Sequence, residues 1–340
     1  MSESFVALLG RVAAGEDLDA EQMAAAIDAL MSGACDEGQV GLFLTSLAAK
    51  GETAAEVAGA ARAMRAHMTP IRSRYAQLLD TCGTGGGGSE VFNISTTAAV
   101  VIAAGGVPVA KHGNRSVTSR SGSADVLSEL GVNIEASLAQ VERCLDELGL
   151  CFCFAPFMHP AMRHVGAVRK KLGVRTIFNI LGPLSNPASA SHQLLGAGRP
   201  ELRPLLASAL RLLAGERALV VSGDDGLGEV TLAGRTSVTE ISRAGERELS
   251  LEPEDFGIAR APLDSLRVSG PAESAAIVRR VLAGEHGPPR DIVVLNAATG
   301  FMTMSPNLAP PEAAAQAAAA IESGAARDLL AQLVDMSHVS

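Results

Sequence analysis

The segment Asp80-Thr-Cys-Gly-Thr-Gly-Gly-Gly-Gly-Ser-Glu-Val-Phe-Asn-Ile-Ser-Thr96 follows the apolar pair Leu78-Leu79 and precedes an apolar helix pattern over Ala98 to Ala104. Glycine lets the backbone approach an anion closely, and the unpaired N–H groups at the start of a helix attract negative charge. A flexible linker is not usually placed between two apolar elements, whereas strand, glycine turn and helix in this order are typical of a phosphate loop. The segment therefore predicts an α/β fold that binds a phosphorylated ligand.

A second polar loop, Lys111-His-Gly-Asn-Arg-Ser-Val-Thr-Ser-Arg-Ser-Gly-Ser123, follows another short apolar strand pattern. It contains three cations, one histidine and five hydroxyl groups. We expect Lys111, Arg115 or Arg120 to pair with phosphate. Asn114 and the serines would form hydrogen bonds to sugar hydroxyls. Two anion-ready loops indicate a ligand that carries both phosphate and sugar.

The composition is that of a globular chain without a bias toward nucleic acid. The 340 residues carry a formal net charge of −9, and the longest basic run is Arg169-Lys170-Lys171. One Tyr, nine Phe and no Trp leave few rings for stacking on bases. We therefore do not expect this chain to bind nucleic acid.

The cysteines and the amino terminus bear on the compartment. The five cysteines are an odd number without metal-type spacing, and Cys151 and Cys153 lie in the apolar run 150–154, which is typical of buried reduced thiols. The chain starts without the basic and apolar segments of a secretory signal, and it has no run of 18 apolar residues. We expect a cytoplasmic protein that does not associate with a membrane.

Residues 1–70 predict a small helical domain. Four amphipathic patterns carry apolar faces over residues 5–12, 23–30, 40–47 and 57–64. A short polar residue stands three positions before Glu or Gln at Asp19, Asp36 and Thr53, as in a capping box. Thr69-Pro70 ends this unit.

From Leu78 onward, strand and helix patterns alternate, which predicts a larger α/β domain over residues 71–340 with a mostly parallel sheet. We also expect the segment of about 160–185 to pack with the helical domain. The expected strands lie near residues 78–81, 107–110, 132–135, 150–154, 193–197, 218–222, 229–232, 237–241 and 291–295. The expected helices lie near residues 96–105, 123–130, 137–148, 160–171, 201–214 and 272–282, and after Pro311.

Five motif blocks follow one another along the chain. They are Gly83-Thr-Gly-Gly86 with Asn93-Ile-Ser-Thr96, Lys111-His-Gly-Asn114 through Ser121-Gly-Ser-Ala-Asp125, His159-Pro-Ala-Met162, Val168-Arg169, and Arg175-Thr-Ile-Phe-Asn-Ile-Leu-Gly-Pro-Leu-Ser-Asn186. Together these ordered blocks resemble the anthranilate phosphoribosyltransferase family nearly end to end. Class II pyrimidine nucleoside phosphorylases share the architecture but lack the Lys-His-Gly-Asn block.

The resemblance implies a fold of the nucleoside phosphorylase and class II phosphoribosyltransferase type, with a small N-terminal helical domain and a large α/β domain around a mostly parallel central sheet. It also implies a homodimer joined through the helical parts. The implied reaction transfers the phosphoribosyl group from phosphoribosyl pyrophosphate to the amine of anthranilate, with Mg²⁺ as cofactor.

The resemblance also implies the site residues. The phosphoribosyl pyrophosphate would contact Gly83, Gly86, Gly87, Asn93, Ile94, Ser95, Thr96, Lys111, Asn114, Arg115 and Ser119. Anthranilate would contact Gly83, His112, Asn114 and Arg169, and magnesium would be held by Ser95 and Glu229. An arylamine is largely unprotonated at neutral pH and needs no strong base, so His112 is a candidate for positioning or proton removal.

Three positions depart from the family pattern. Gly87 and Gly228 stand where the family usually has Asp, and Val91 stands where it usually has Thr. Because Mg²⁺ prefers oxygen ligands and keeps several waters, we expect one firm metal site and one weak one, with Asp224 or Asp225 as candidate substitutes.

The departures leave two alternatives open. The first is a paralogous transferase that uses the same donor and a different aromatic acceptor. The second is a non-catalytic relative that binds nucleic acid. Three other histidines, His159, His164 and His192, have no metal-type spacing, which favours helix-cap or surface positions.

Overall fold

A computed structural model describes residues 4–85, 90–116 and 120–339. The chain begins with four helices packed on one another: α1 (Phe5–Ala13), α2 (Ala20–Met31), α3 (Glu37–Lys50) and α4 (Ala54–Ala66). Complete capping boxes start α2, α3 and α4 at Asp19, Asp36 and Thr53, as the spacing predicts. The predicted small helical unit is therefore present.

The rest of the chain is built around a seven-stranded sheet of order β3-β2-β1-β4-β5-β6-β7. The first five strands in this order are parallel, and the last two pair antiparallel, so the predicted mostly parallel sheet is confirmed. The strands are β1 (Leu79–Gly83), β2 (Val109–Gly113), β3 (Leu150–Phe154), β4 (His192–Gly196), β5 (Arg217–Gly223), β6 (Thr236–Ser242) and β7 (Gly245–Leu251).

Helices cover both faces of the sheet. They are α5 (Ile94–Ala104), α6 (Ser123–Glu129), α7 (Leu138–Leu148), α8 (Ala155–Met158), α9 (Arg163–Leu172), α10 (Phe178–Leu181), α11 (Arg203–Leu212), α12 (Pro271–Leu282), α13 (Pro288–Met304), α14 (Pro310–Glu322) and α15 (Ala325–His338). Short 3-10 helices lie at Pro160–Met162, Gly182–Leu184, Pro200–Leu202, Pro253–Phe256 and Leu263–Leu266. Across the described ranges, no helix combines the length and apolar character needed to cross a membrane.

Two apolar cores flank the sheet. One joins the four N-terminal helices to α9, α10, α11 and one face of the sheet, and it includes Leu44, Val165, Leu181 and Val220. The other joins α5, α13 and the C-terminal helices to the opposite face. The segment around α9 and α10 therefore shares its core with the N-terminal helices, although it follows β3 in the chain.

Three predicted strands are wrong. Residues 291–295 lie in α13, a helix buried on nearly all sides, because a short apolar run does not distinguish a strand from a buried helix. Residues 229–232 form a loop that is largely buried. The Val230 N–H donates to the side chain of Asn296, and the Thr231 N–H donates to the side chain of Thr236. Residues 132–135 form a turn. The polar edge strand β7 was not predicted, since its exposed residues lack an apolar face.

Strands β1 and β2 separate at their carboxyl ends, where the two polar loops begin. Within the described strands, β1 and β2 pair at Leu79 and Val109 alone, whereas β1 pairs with β4 over five residue pairs. The carboxyl ends of β1 and β2 therefore diverge beside the point where the strand order reverses. Ligands of open α/β sheets bind in such a crevice.

Candidate active site

A cavity of about 1310 Å³ opens at the carboxyl ends of β1, β2 and β4, where Gly83, Gly113 and Gly196 line its wall. The N-terminal helices and α9 close its other side with Met64 and Arg169. Its volume and its mixture of backbone, hydroxyl and charged groups suit a large polar ligand.

The start of helix α5 forms an anion-attracting end of this cavity. Asn93, Ser95 and Thr96 line the cavity, and the hydroxyl of Thr96 is buried without a hydrogen-bond partner in the described chain. The unpaired N–H groups of a first helical turn carry partial positive charge. A phosphate group would supply the missing acceptor.

Glu229 lies against the same helical turn. Burial raises the pKa of Glu229 to about 7, while Lys111 and the hydroxyl and N–H of Ser95 act in the opposite direction. Ser95 and Glu229 therefore bring a hydroxyl oxygen and a carboxylate together at the cavity wall, which is the donor set that Mg²⁺ prefers. The predicted pair, Ser95 and Glu229, would hold a magnesium ion at this wall.

Lys111 and Asp80 fill the gap between β1 and β2. The Lys111 ammonium donates to the carbonyl of Thr81 at 2.5 Å and lies 3.4 Å from the Ser95 hydroxyl. Burial lowers the pKa of Lys111, and Asp80 and Glu229 oppose that shift. Asp80 is fully buried, and its carboxylate accepts the His112 N–H at 3.2 Å. The two side chains hold the start of the second loop against the first.

Asp125 fixes the second loop from helix α6. Its carboxylate accepts the N–H groups of Ser116 at 2.8 Å and Gly122 at 3.0 Å, and it pairs with Arg115 at 3.2 Å. A Cβ on Gly122 would lie 2.3 Å from the nitrogen of Ser116, so only glycine allows this closure. Asp125 therefore holds together residues 115–116 and Gly122, which lie on either side of residues 117–119.

His112 is held in one tautomer. Its Nδ1 lies 3.0 Å from the Gly182 carbonyl, which can only accept, so Nδ1 carries the hydrogen. Burial, then His159, lower the pKa of His112 to about 3, so the neutral ring accepts from Nε2 of His159 at 3.2 Å. Both ring nitrogens are engaged within the protein, which favours positioning over proton removal.

Arg169 brings a cation to the cavity from the last turn of α9. Its guanidinium lies over the ring of Phe178, 5.3 Å from the centroid, and burial lowers its pKa. In the part of the chain that the structure describes, no carboxylate forms an ion pair with it. A guanidinium on an aromatic platform is suited to a planar carboxylate.

The structure places most of the predicted site residues around this cavity. Ile94 is buried behind the wall, and Arg115 is turned toward Asp125. Gly86, Gly87 and Ser119 lie outside the described residues. The cavity-lining residues are Gly83, Asn93, Ser95, Thr96, Lys111, His112, Asn114, Arg115, Arg169 and Glu229.

The proposed substitutes for the missing acidic side chain are excluded. Asp224 pairs with Arg235 at 3.1 Å on the surface. Both carboxylate oxygens of Asp225 are used within its own loop, by the Leu227 N–H and the Thr231 hydroxyl. Neither carboxylate lines the cavity, because a shift along the loop changes the direction of the side chain.

Sequence reasoning assigned no site role to three buried groups. His159 caps α8 as expected, but its side chain is buried against His112 instead of exposed. In the sequence, Asp80 was only the first residue of the glycine-rich segment, and Ser274 of α12 belonged to no recognised motif. His192, also predicted at a cap or the surface, is buried in β4. The environment of each of these residues depends on contacts between segments far apart in the sequence, and no local pattern predicts such contacts.

Comparison with known proteins assigns both parts of the chain. The model for the glycosyl transferase family, a/b domain, matches residues 75–327, and the model for the helical bundle domain of the same family matches residues 6–68. An anthranilate phosphoribosyltransferase of Rhodopirellula baltica is 48% identical, with 98% of both chains covered. One of Thermomicrobium roseum is 46% identical, covering 97% of this chain and 96% of the relative.

Solved structures give the same assignment. The anthranilate phosphoribosyltransferase of Thermus thermophilus superimposes with a TM-score of 0.92 at 44% identity, covering 98% of this chain and 99% of that one. The enzyme of Saccharomyces cerevisiae, solved in complex with PRPP and Mg, gives a TM-score of 0.90 at 31% identity, covering 98% and 97%.

Proposed function

Because this chain belongs to the glycosyl transferase family whose members include these anthranilate phosphoribosyltransferases, we propose that it transfers the 5-phosphoribosyl group from phosphoribosyl pyrophosphate to the amine of anthranilate. The products are N-(5-phosphoribosyl)anthranilate and pyrophosphate, as tryptophan biosynthesis requires. The observation that carries this function is one cavity lined both by the start of α5 and by Arg169.

The arrangement fits the charges that develop in this reaction. Breaking the bond between C1 of ribose and pyrophosphate places positive charge on the sugar and negative charge on the leaving group. The first turn of α5 and Lys111 stabilise the leaving group more in the transition state than in the ground state. Magnesium, when bound, neutralises further charge on the diphosphate. Ser95 and Glu229 would hold it.

The acceptor side needs only positioning. Arg169 would bind the carboxylate of anthranilate, and Asn114 would orient the arylamine toward C1 beside the fixed ring of His112. A histidine whose pKa is about 3 is a weak base at neutral pH, which agrees with an amine that attacks unassisted.

Purified protein tests this function directly. With phosphoribosyl pyrophosphate and magnesium present, the fluorescence of anthranilate should disappear as product forms. Binding of the donor without turnover of anthranilate would favour the paralogous transferase. Salt-sensitive binding of nucleic acid without binding of the donor would favour the non-catalytic relative.

The domain division, the compartment and the oligomer are part of the same proposal. We assign residues 1–70 to the helical domain and 71–340 to the α/β domain, with about 160–185 packed on the helical part. The free and mostly buried cysteines support a reducing cytoplasm. If the protein folds and is active in the presence of a reductant, the result agrees with this compartment. If folding or activity requires an oxidant, the result contradicts it.

We propose a homodimer joined through α1 and α3. Phe5 and Phe43 hold these helices together with ring centroids 5.6 Å apart, and the adjacent Val6 and Leu42 are 64% and 51% exposed. Exposed apolar side chains on neighbouring helices are typical of an interface. A sedimentation coefficient of a 34.8 kDa monomer at micromolar concentration would contradict the dimer.

Gly228→Asp should tighten magnesium binding in the presence of the donor by roughly threefold to tenfold, because it adds a carboxylate beside Glu229. The new Cβ would lie 3.0 Å from the backbone of Gly198, so we also expect a lower melting temperature. Titration calorimetry of the metal measures the effect. Gly234→Asp adds the same charge where the nearest atom is 3.9 Å away and serves as the control. An unchanged titration would remove the proposed second metal position.

A further inference from the structure

Ser274 connects helix α12 to the start of helix α5. Its side chain is fully buried, and its hydroxyl accepts the backbone N–H of Asn93 at 3.1 Å across 181 residues of sequence. The same hydroxyl donates to Oδ1 of Asn93 at 2.8 Å. One hydroxyl therefore satisfies both the backbone and the side chain of the residue that caps α5.

The amide of Asn93 also joins the two polar loops. Its Oδ1 accepts the hydroxyl of Ser121 at 2.6 Å, and its Nδ2 donates to the Ser121 carbonyl at 3.2 Å. Because that carbonyl can only accept, the orientation of the amide is fixed. Two hydroxyl groups fill the lone pairs of Oδ1, the second Nδ2 hydrogen has no acceptor among the described residues, and Asn93 lines the cavity.

The chain before Ser274 supports the same region of the first loop. The Phe92 N–H donates to the Leu266 carbonyl at 2.9 Å, and the Val268 N–H donates to the Glu90 carbonyl at 2.7 Å. Glu90 in turn pairs with Arg120 of the second loop at 2.7 Å. Residues 266–274 therefore support residues 90–93, and Ser274 contacts the side chain of the cavity-lining Asn93.

We propose that Ser274 is a positioning residue for phosphoribosyl pyrophosphate, which acts by holding the Asn93 amide so that only a hydrogen-bond donor faces the phosphate. This inference rests on the proposed function. A rotated amide would present Oδ1 to an anion and repel it. Without the Ser274 hydroxyl, Ser121 alone would oppose that rotation, and the Asn93 N–H would lose its acceptor.

Ser274→Ala should raise both the Kd and the KM for phosphoribosyl pyrophosphate about tenfold, with kcat changed less than about twofold and the KM for anthranilate unchanged. Calorimetry with the donor and magnesium measures the Kd, and the fluorescence assay measures the kinetic constants. Ser274→Thr keeps the hydroxyl and should restore most of the affinity. In an Asn93→Ala background, Ser274→Ala should have no further effect on donor binding.

Ser337→Ala is the matched control. Ser337 is a buried helix serine that also accepts a backbone N–H, from Asn133 at 2.9 Å, and donates to an oxygen, the Val334 carbonyl at 2.7 Å. Both alanine variants should lower the melting temperature, but only Ser274→Ala should weaken donor binding.

Four results would overturn the role of Ser274: an unchanged Kd in Ser274→Ala, an equal loss of affinity in Ser337→Ala, additive effects with Asn93→Ala, or a Ser274→Thr protein that is folded but binds the donor no better than Ser274→Ala. If Ser274→Ala does not fold, Ser274→Thr and Ser274→Cys, which keep the packing, decide the question: the threonine must bind the donor more tightly than the cysteine. Failure of the unaltered protein to bind the donor would instead refute the proposed function.

Discussion

Arg169→Leu is expected to raise the KM for anthranilate roughly 10- to 100-fold while the KM for phosphoribosyl pyrophosphate stays within about twofold. The guanidinium faces the cavity from the platform of Phe178, and no carboxylate of the described chain is ion-paired with it. A charged hydrogen bond to the acceptor is therefore lost, and no internal ion pair is broken. Steady-state kinetics with each substrate varied in turn measure the two constants.

Lys171→Leu is the matched control for this prediction. It removes a positive charge from the same helix end, but Lys171 is exposed and pairs with Glu37 at 2.6 Å. The acceptor offers a second comparison, because aniline has the amine without the carboxylate. The preference of the unaltered enzyme for anthranilate over aniline should largely disappear in Arg169→Leu. A preference that survives would place the carboxylate elsewhere in the cavity.

The local sequence predicted those elements whose ends carry their own signals. The capping boxes at Asp19, Asp36, Thr53 and Ser137 all form as their spacing indicates. These signals depend on residues within one turn of a helix, and tertiary packing does not alter them. The apolar run at 291–295 lies in α13, which starts without a side-chain cap, and burial on nearly all sides removes the periodicity that separates a strand from a helix.

The candidate site was predictable to the extent that short motifs contain it. The blocks around Asn93, Lys111 and Arg169 carry most of the cavity wall, and their spacing on one chain is enough to identify them. The contacts that orient these residues come from elsewhere. Ser274 reaches Asn93 from 181 residues away, and Asp80 acquires its role only because β1 and β2 diverge. A single sequence does not show that Ser274 lies next to Asn93 or that β1 and β2 diverge.

Glu229→Gln is expected to weaken magnesium binding in the donor complex by about 100-fold and to reduce kcat/KM at fixed magnesium by a similar factor. The acidic side chains that line the cavity in the described chain are Glu229 and Glu90, and Glu90 is paired with Arg120. Gly228 offers no side chain, so Glu229 must supply the carboxylate alone. Glutamine keeps the shape and an acceptor oxygen for Ser95 while it removes the charge.

Asp224→Asn is the control for the charge itself. It removes an equal charge from the same loop, but from a carboxylate that points to the surface and pairs with Arg235. Calorimetry of Mn²⁺ binding in the presence of the donor distinguishes weaker binding of the metal from weaker binding of the donor. If Glu229→Gln binds the metal as tightly as Asp224→Asn does, the ion is held by diphosphate and water alone. Gly87 and Gly228, which stand where the family usually has Asp, would then have no effect on metal affinity. Gly228→Asp should in that case not tighten magnesium binding.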